Sequence, residues 1–554
     1  MPHTLKARAA GEGGFLSRRR LFHFQSPGWF FGAVLLALAA AVPLLVIVGH
    51  LLVPQQEVWK HLVENVLGTL VSNTALLLAC IVPLTAVMGV GLGWLTGACD
   101  YPGRKFFAWA LVLPFAIPPY VFAFVYLGLF DFSGPVQTAL RAAFPSIGFI
   151  DIRNGFGVAS ILSLAFYPYV YLMARSAFMT QGRTAMEAAR TLGMKPSRAF
   201  FKVALPMARP FVAAGLVLVC MESLADFGAV SIFNYDTFTT AIYKAWFGLF
   251  SLESAAQISS VLAIFVLTAL VVEQRLRTRM RYTEAGRSSQ ADRIKLSGVW
   301  RWSAFGASSL VFLLAFVIPC IQLGMWAWEV VGPDTVRYFD YSVKTLSLGL
   351  VGAVVTTMSA MVLAFAKRND PGTTITWTSR IATLGYALPG TVLAVGIFIP
   401  AAWLDNGLIA FVAWVTGSKP APFIQGSLGL MIVAYAIRFL AAGFGSVDAA
   451  MQRITPSIGE AARTMGVTGA ALLRRIYLPM LNKGLMTGAI LVLVDVMKEM
   501  PITLMMRPFG WDTLSVKIYE YTSEGEWELA AIPAVVLILV GLLPVLLLTR
   551  QSEK

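Results

Sequence analysis

Twelve long apolar runs constrain what this chain can fold into, because a helix of ~20 apolar residues crosses the ~30 Å of hydrocarbon in a bilayer. They lie near 29–50, 67–98, 106–130, 156–174, 210–230, 255–272, 302–325, 345–366, 381–403, 426–445, 484–503 and 529–549 of the 554 residues. Only 13% of the residues are charged and 57% are hydrophobic, whereas soluble domains carry ~25% and ~45–50%. So few charges do not cover a water-soluble particle of this size. A soluble enzyme, a nucleic-acid-binding domain and a disordered scaffold are excluded. The pattern predicts an all-α polytopic membrane protein with twelve transmembrane helices in a lipid bilayer.

The net charge of +14 follows topology rather than nucleic acid as a partner. Alternate loops, beginning with the N-terminal arm, hold most of the 43 Lys and Arg residues, and the opposite loops are richer in acids. The positive-inside rule then puts both termini in the cytoplasm. The first run starts after Arg18-Arg19-Arg20 and is too long for the core of a cleaved leader. Cys80, Cys99, Cys220 and Cys320 are too scattered for a disulfide framework or a metal knuckle.

A second constraint is self-similarity. EAARTLGMKPSRAFFKVALP begins at Glu187, and EAARTMGVTGAALLRRIYLP begins at Glu460. Glu187 and Glu460, Gly193 and Gly466, and Pro206 and Pro479 are each 273 residues apart. The same offset relates Glu222 to Asp495 and Asp226 to Glu499; an offset of 276 relates Asp236 to Asp512 and Tyr243 to Tyr519. The proline-bearing stretches Ala116-Ile117-Pro118 and Ala387-Leu388-Pro389 match at 271. A constant offset over this length is a tandem duplication. We read 1–27 as a basic cytoplasmic arm, 28–274 as a first six-helix unit, 275–300 as a basic cytoplasmic linker and 301–554 as a second unit. An even number of helices gives both copies one orientation, so a pseudo-two-fold axis along the membrane normal relates them.

Each repeated loop lies between the fourth and fifth helix of its unit, on the inside. Glu-Ala-Ala-Arg favours helix, and Gly193 and Gly466 suit the left-handed residue that ends one. Pro196 then opens the next helix, and Thr468 is placed to cap its counterpart. Small alanines beside one glutamate make a narrow knob that a partner's groove can accept; an ordinary basic loop is the plainer alternative.

EAA, a glycine three residues after the arginine, and a hydrophobic-Leu-Pro ending resemble the cytoplasmic coupling motif of ABC importer permeases of the binding-protein-dependent type. The fused twelve-helix arrangement is similar to the ferric iron permeases of that family, through ESLADFG at Glu222, KEMP at Lys498, TFTTAIYKAWFG at Thr237 and DTLSVKIYEY at Asp512. The resemblance implies that the two units are permease domains in a bacterial inner membrane. It implies that Glu187, Ala188, Ala189 and Gly193, with Glu460, Ala461, Ala462 and Gly466, each contact one of two ATPase subunits. Those partners would bind ATP and magnesium, and a periplasmic or extracellular substrate-binding protein would deliver the cargo. The chain itself has no G-x-x-x-x-G-K-[ST] loop and no HExxH pair, so we expect a transport subunit without cofactor rather than an enzyme. The Gly89-x-Gly91-x-Gly93 pattern reads as close helix packing.

Four carboxylates fall in or near apolar helices: Glu222, Asp226, Asp495 and Glu499. Each costs ~2.5–3.5 kcal/mol at a bilayer centre on insertion scales. Members of each pair are four apart, which puts them on one face of a helix. If the fifth helices flank the axis, as the resemblance implies, the acids converge on a central path. Hard cations prefer carboxylate oxygen, so these residues are candidate transient metal ligands along a substrate pathway. The alternatives are pairing with Lys498, Lys244 or backbone donors, and bracing of a gate. Arg438 reads as an ion-pair partner or a snorkelling side chain. Pro118-Pro119 and Pro389-Gly390 break helical hydrogen bonding, freeing carbonyls or making a hinge. The expected cargo is ferric iron; thiamine, phosphorylated sugars and phosphonates are rivals within the class. A proton-coupled secondary transporter is the rival outside it.

Overall fold

The computed structural model describes residues 27–52, 56–146, 148–180, 189, 191–280, 293–332, 335–370 and 372–552. Residues 1–26, Glu187, Ala188 and residues 281–292 of the expected linker lie outside them. The first unit comprises α1 (Pro27–Leu52), α2 (Trp59–Ala98), α3 (Arg104–Ala110), α4 (Pro119–Leu129), α5 (Gly155–Thr180), α6 (Phe200–Ala225) and α7 (Leu252–Met280). The second repeats the order as α8 (Gly298–Val330), α9 (Thr335–Asn369), α10 (Thr373–Ala382), α11 (Gly390–Thr416), α12 (Leu428–Gln452), α13 (Gly469–Lys498) and α14 (Trp527–Ser552). Among the described residues, 11 helices are long and apolar enough to cross a membrane, or 12 if one bent pair is a single span.

That bent pair corrects the third expected segment. The run at 106–130 is not one rod: Arg104–Ala116 and Pro119–Leu129 meet at 92°. Pro118 and Pro119 lack amide hydrogens, and a residue before proline is pushed to extended backbone. The second unit behaves likewise. A short 3-10 turn, Leu384–Ala387, follows α10, Leu388 and Pro389 are extended, and α11 starts afresh at Gly390. The duplication extends to backbone defects. A π-helical turn occupies Phe200–Ala204 in α6 and Leu473–Tyr477 in α13, where Leu205 and Leu478 donate to Phe200 and Leu473. Proline follows each donor and removes the next helical hydrogen bond, which a wider turn accommodates.

The two units are interlocked. α1 packs on α9, α10 and α11 of the second unit as well as on α7 of its own. Trp29 stacks on Phe365 with ring centroids 5.1 Å apart, and a Cβ on Gly396 would sit 2.8 Å from the Pro43 carbonyl. α8 mirrors this against the first unit, where the Tyr101 hydroxyl and Ser308 Oγ are 2.8 Å apart and Trp326 lies parallel to Phe124. Both described ends of the expected linker carry secondary structure. α7 continues to Met280, and Ile294–Lys295 pairs in parallel with Cys99–Asp100.

Only part of the glycine pattern in α2 faces a neighbour. A Cβ on Gly89 would lie 2.5 Å from Val170 Cβ, and one on Gly93 would lie 3.0 Å from Ala174 Cβ on α5. Gly91 has nothing within 4 Å, because residues two apart point to different sides of a helix. Gly89→Ala is therefore expected to destabilise by ~1–3 kcal/mol through overpacking. Gly91→Ala should be neutral or stabilising by ~0.5–1 kcal/mol. Thermal unfolding of the detergent-solubilised variants compares the two.

Candidate functional site

Each unit contains two chain breaks, one in its third span and one at the end of its fifth. The four breaks meet around a cavity of ≈ 220 Å³. Glu222, Asp226, Asp495 and Glu499 all line it, together with Arg438 and Lys498. Close approach requires glycine here. A Cβ on Gly390 would lie 2.7 Å from Pro501 Cγ, 2.8 Å from Glu499 Oε1 and 3.0 Å from Arg438 Nη1. One on Gly228 would lie 2.5 Å from Met500 Cε and 2.7 Å from Tyr120 Cβ.

The expectation that each acidic pair shares a helix face is corrected. α6 ends at Ala225 and α13 at Lys498, so Asp226 and Glu499 sit just past the helix ends with extended backbone. Their side chains cap the short helices that follow, Gly228–Ile232 and Pro501–Met506. Asp226 Oδ2 accepts the Val230 amide at 3.1 Å. Glu499 accepts the Ile502 and Thr503 amides at 2.9 and 3.0 Å and the Thr503 hydroxyl at 3.0 Å. Val230 and Thr503 are themselves 273 residues apart, so the cap is duplicated with the chain. Backbone donors thus claim two of the four acids. Glu222 and Asp495 cap nothing; Glu222 lies near Tyr169, Tyr386 and Arg438, and Asp495 near Lys498.

The cations close the other breaks. Lys498 Nζ donates to the Phe115 carbonyl at 3.0 Å, and Arg438 Nη1 donates to the Leu388 carbonyl at 3.1 Å. The carbonyls freed by the proline breaks are therefore held by side chains that also line the cavity. Lys244 is not among them, since it pairs with Asp236 at 2.5 Å.

Hydroxyl residues that sequence reasoning did not single out pin the backbone of the breaks. Thr239 Oγ1 donates to the Asp226 carbonyl at 2.6 Å, and Ser515 Oγ donates to the Glu499 carbonyl at 2.9 Å. Thr237 and Thr513 lie 3.0 Å from these hydroxyls in turn. The signal was available as a repeated T-x-[ST] within the two segments beginning at Thr237 and Asp512. Phe227, which lines the cavity, packs its ring 5.2 Å from Tyr243 and 5.6 Å from Tyr519. The repeat-related tyrosines line a second cavity of ≈ 510 Å³, so an aromatic cluster lies between the two spaces.

At the other end of α12, the second repeated loop forms the helix Pro456–Thr464. Glu460 and Ala461 are exposed, Ala462 is 2% exposed, and Gly466 has φ +79°. The Val467 amide donates to the Ala462 carbonyl at 2.9 Å. In the first loop, the described part matches: Ala189 is buried, Gly193 has φ +77°, and Met194 donates to Ala189 at 3.0 Å. Pro196 opens the next helix, whereas Thr468 occupies its cap position without a side-chain cap bond. Arg368 supports the second loop by donating to the Met451 and Ile454 carbonyls, at 3.1 and 2.9 Å.

Two entwined six-span units, broken at equivalent places around a shared polar cavity, with a left-handed glycine at the matching place of each repeated loop, define a duplicated membrane permease. The family described as "Binding-protein-dependent transport system inner membrane component" matches residues 89–281 and 357–554, and the chain belongs to it. The Fe(3+)-transport system permease protein FbpB 2 of Haemophilus influenzae is 25% identical over 496 residues, covering 88% of this chain and 91% of the relative. The ferric transport system permease protein FbpB of Actinobacillus pleuropneumoniae is 21% identical, covering 89% and 72%. A Salmonella typhimurium chain, PhnV, whose name places it in a 2-aminoethylphosphonate transport system, is 25% identical over 46% of this chain and 96% of its own length.

The caps make a stability prediction. Glu499→Ala strands the Ile502 and Thr503 amides, and is expected to cost ~1–3 kcal/mol. Glu499→Gln keeps one oxygen acceptor and should cost less. Chemical unfolding in detergent ranks the two variants.

Proposed function

We propose that this chain is the membrane-spanning subunit of an ATP-driven importer, and that its cargo is ferric iron handed over by a binding protein outside the membrane. Two ATPase subunits, carrying ATP and magnesium, dock on the paired inner loops. Both termini face the cytoplasm with those loops. The observation that carries the reading is the convergence of four carboxylates, from two equivalent places in a duplicated chain, on one cavity between the units. Carboxylate oxygens suit a hard, highly charged cation. The two ferric permease relatives, which align along most of the chain, support the same cargo.

The roles within the cavity divide by geometry. Asp226 and Glu499 brace the breaks, and Glu222 and Asp495 are left to meet the passing ion. Arg438 and Lys498 are an argument for an anion such as a phosphonate, in line with the PhnV relative. Four carboxylates outnumber these two cations in the lining, so the acids set the preference. Uptake of labelled ferric ion into proteoliposomes containing the ATPase and binding protein tests the cargo directly, with thiamine and 2-aminoethylphosphonate as competitors. Uptake driven by an ion gradient without the ATPase would overturn the class.

Neutralising both Glu222 and Asp495, as Gln and Asn, is expected to lower iron uptake at least ~10-fold, a combined loss of ~1.4 kcal/mol or more; unfolding temperature should fall less than for Glu499→Ala. On the inner face, Glu187→Lys with Glu460→Lys is expected to abolish co-purification of the ATPase, and transport with it. Retained docking in that double variant would remove the coupling role from these loops.

A further inference from the structure

Two carboxylates do not make a coordination shell. Among the described residues, no three His, Cys, Asp or Glu side chains are grouped so as to hold a metal ion. Glu222 and Asp495, the acids of the central cavity that cap nothing, therefore need further donors if an ion is to pause between them. Hard cations take oxygen, and a tyrosine oxygen is a known ligand of protein-bound iron. Three tyrosines line the cavity: Tyr120, Tyr169 and Tyr386. Tyr120 is engaged elsewhere, since its hydroxyl donates to the Lys498 carbonyl at 3.3 Å.

Tyr169 and Tyr386 stand against the acids instead. Tyr169 interacts with Glu222, Asp495 and Tyr386, Tyr386 interacts with Glu222 and Asp495, and the two acids interact with each other. Each of the four groups is thus an electrostatic neighbour of the other three. They arrive from four separate elements: α5, α6, the Leu384–Ala387 turn and α13. The Tyr169 ring meets Phe115 edge-on at 4.7 Å, and the Phe115 carbonyl is the one held by Lys498. The sequence marks the other phenol. At the offset of 271 that relates the two proline-bearing stretches, Tyr386 corresponds to Phe115. The second unit therefore carries a hydroxyl where the first has a bare ring, and that one added oxygen falls beside Glu222 and Asp495. Phenylalanine serves the packing in the first unit, so packing alone does not call for the hydroxyl.

We propose that Tyr169 and Tyr386 complete, with Glu222 and Asp495, a four-oxygen site at which the ferric ion pauses on its way through the membrane. The assignment rests on the cargo proposed above. Both tyrosines bind as phenolates: two iron–oxygen bonds form, two O–H bonds break, and the two protons leave to water that enters with the ion. Iron stays ferric throughout. Metal binding releases protons from its ligands in this way because the cation favours their anionic form. The shell is also divided evenly, with Tyr169 and Glu222 in the first unit and Tyr386 and Asp495 in the second. Movement of the units apart halves it and lets the ion go.

The test titrates the full-length protein in detergent with ferric nitrilotriacetate and reads visible absorbance. A phenolate-to-iron charge-transfer band, which carboxylate ligands do not give, should appear with the unaltered protein. Tyr169→Phe and Tyr386→Phe should each weaken the band, and the double variant should lose it. In proteoliposomes with the ATPase and binding protein, the double variant should take up ferric ion at least ~10-fold more slowly. Tyr386→Phe restores the residue of the first unit and keeps the test decisive should Tyr169→Phe disturb folding. No band in the unaltered protein at saturating iron, or an undiminished band or uptake in Tyr386→Phe, overturns the site. Those results leave the ferric cargo standing, because the unaltered protein still transports it. Failure of the unaltered protein to take up ferric ion at all overturns the cargo, and this site with it.

Discussion

An interrupted helix inside an apolar medium must find new partners for every backbone group it releases, and this requirement organises the centre of the protein. Four interruptions would be intolerable against lipid, because each unsatisfied group costs several kcal/mol. They are tolerated because they face one another and carry their own polar side chains. Asp226 and Glu499 take the amides, while Lys498 and Arg438 take the carbonyls. The charges that could act on a cargo are therefore the same charges that hold the breaks open, or their immediate neighbours. Position and function share one cause.

The duplication is strict in some respects and relaxed in others. Acids, capping hydroxyls, π-helical turns and left-handed glycines recur in both units at nearly constant offsets. The bases do not: Arg438 and Lys498 both belong to the second unit, and Lys498 reaches across to Phe115 in the first. A path lined by two copies of an acidic motif thus has a single, asymmetric set of counter-charges. Fusion of the units into one chain permits this, since one copy can change without the other.

Periodicity and self-similarity made most of the architecture readable. The apolar runs located eleven long spans, and the offset of 273 foretold which carboxylates would meet. What escaped was local. Asp226 and Glu499 were four residues from their partners, yet a helix ended in between, because the capping bond to Val230 or Thr503 forms only after the chain has turned. The 92° bend was signalled by Pro118-Pro119, but the bond that holds its Phe115 carbonyl comes from Lys498, far away in sequence. Gly91 shared a pattern with Gly89 and Gly93 but not a neighbour, and only the position of α5 separates them. Thr468 had the right residue type and backbone for a cap, without the bond itself.

The exchange of first helices between units has a consequence for how the protein is made. α1 is synthesised first, yet the surfaces it rests on, around Phe365 and Gly396, emerge more than three hundred residues later. Until then its Gly32 and Pro43 faces have only lipid or insertion machinery for company. A nascent chain stalled midway would display an orphaned anchor, ready to be recognised by quality-control proteases or to be captured by the wrong neighbour.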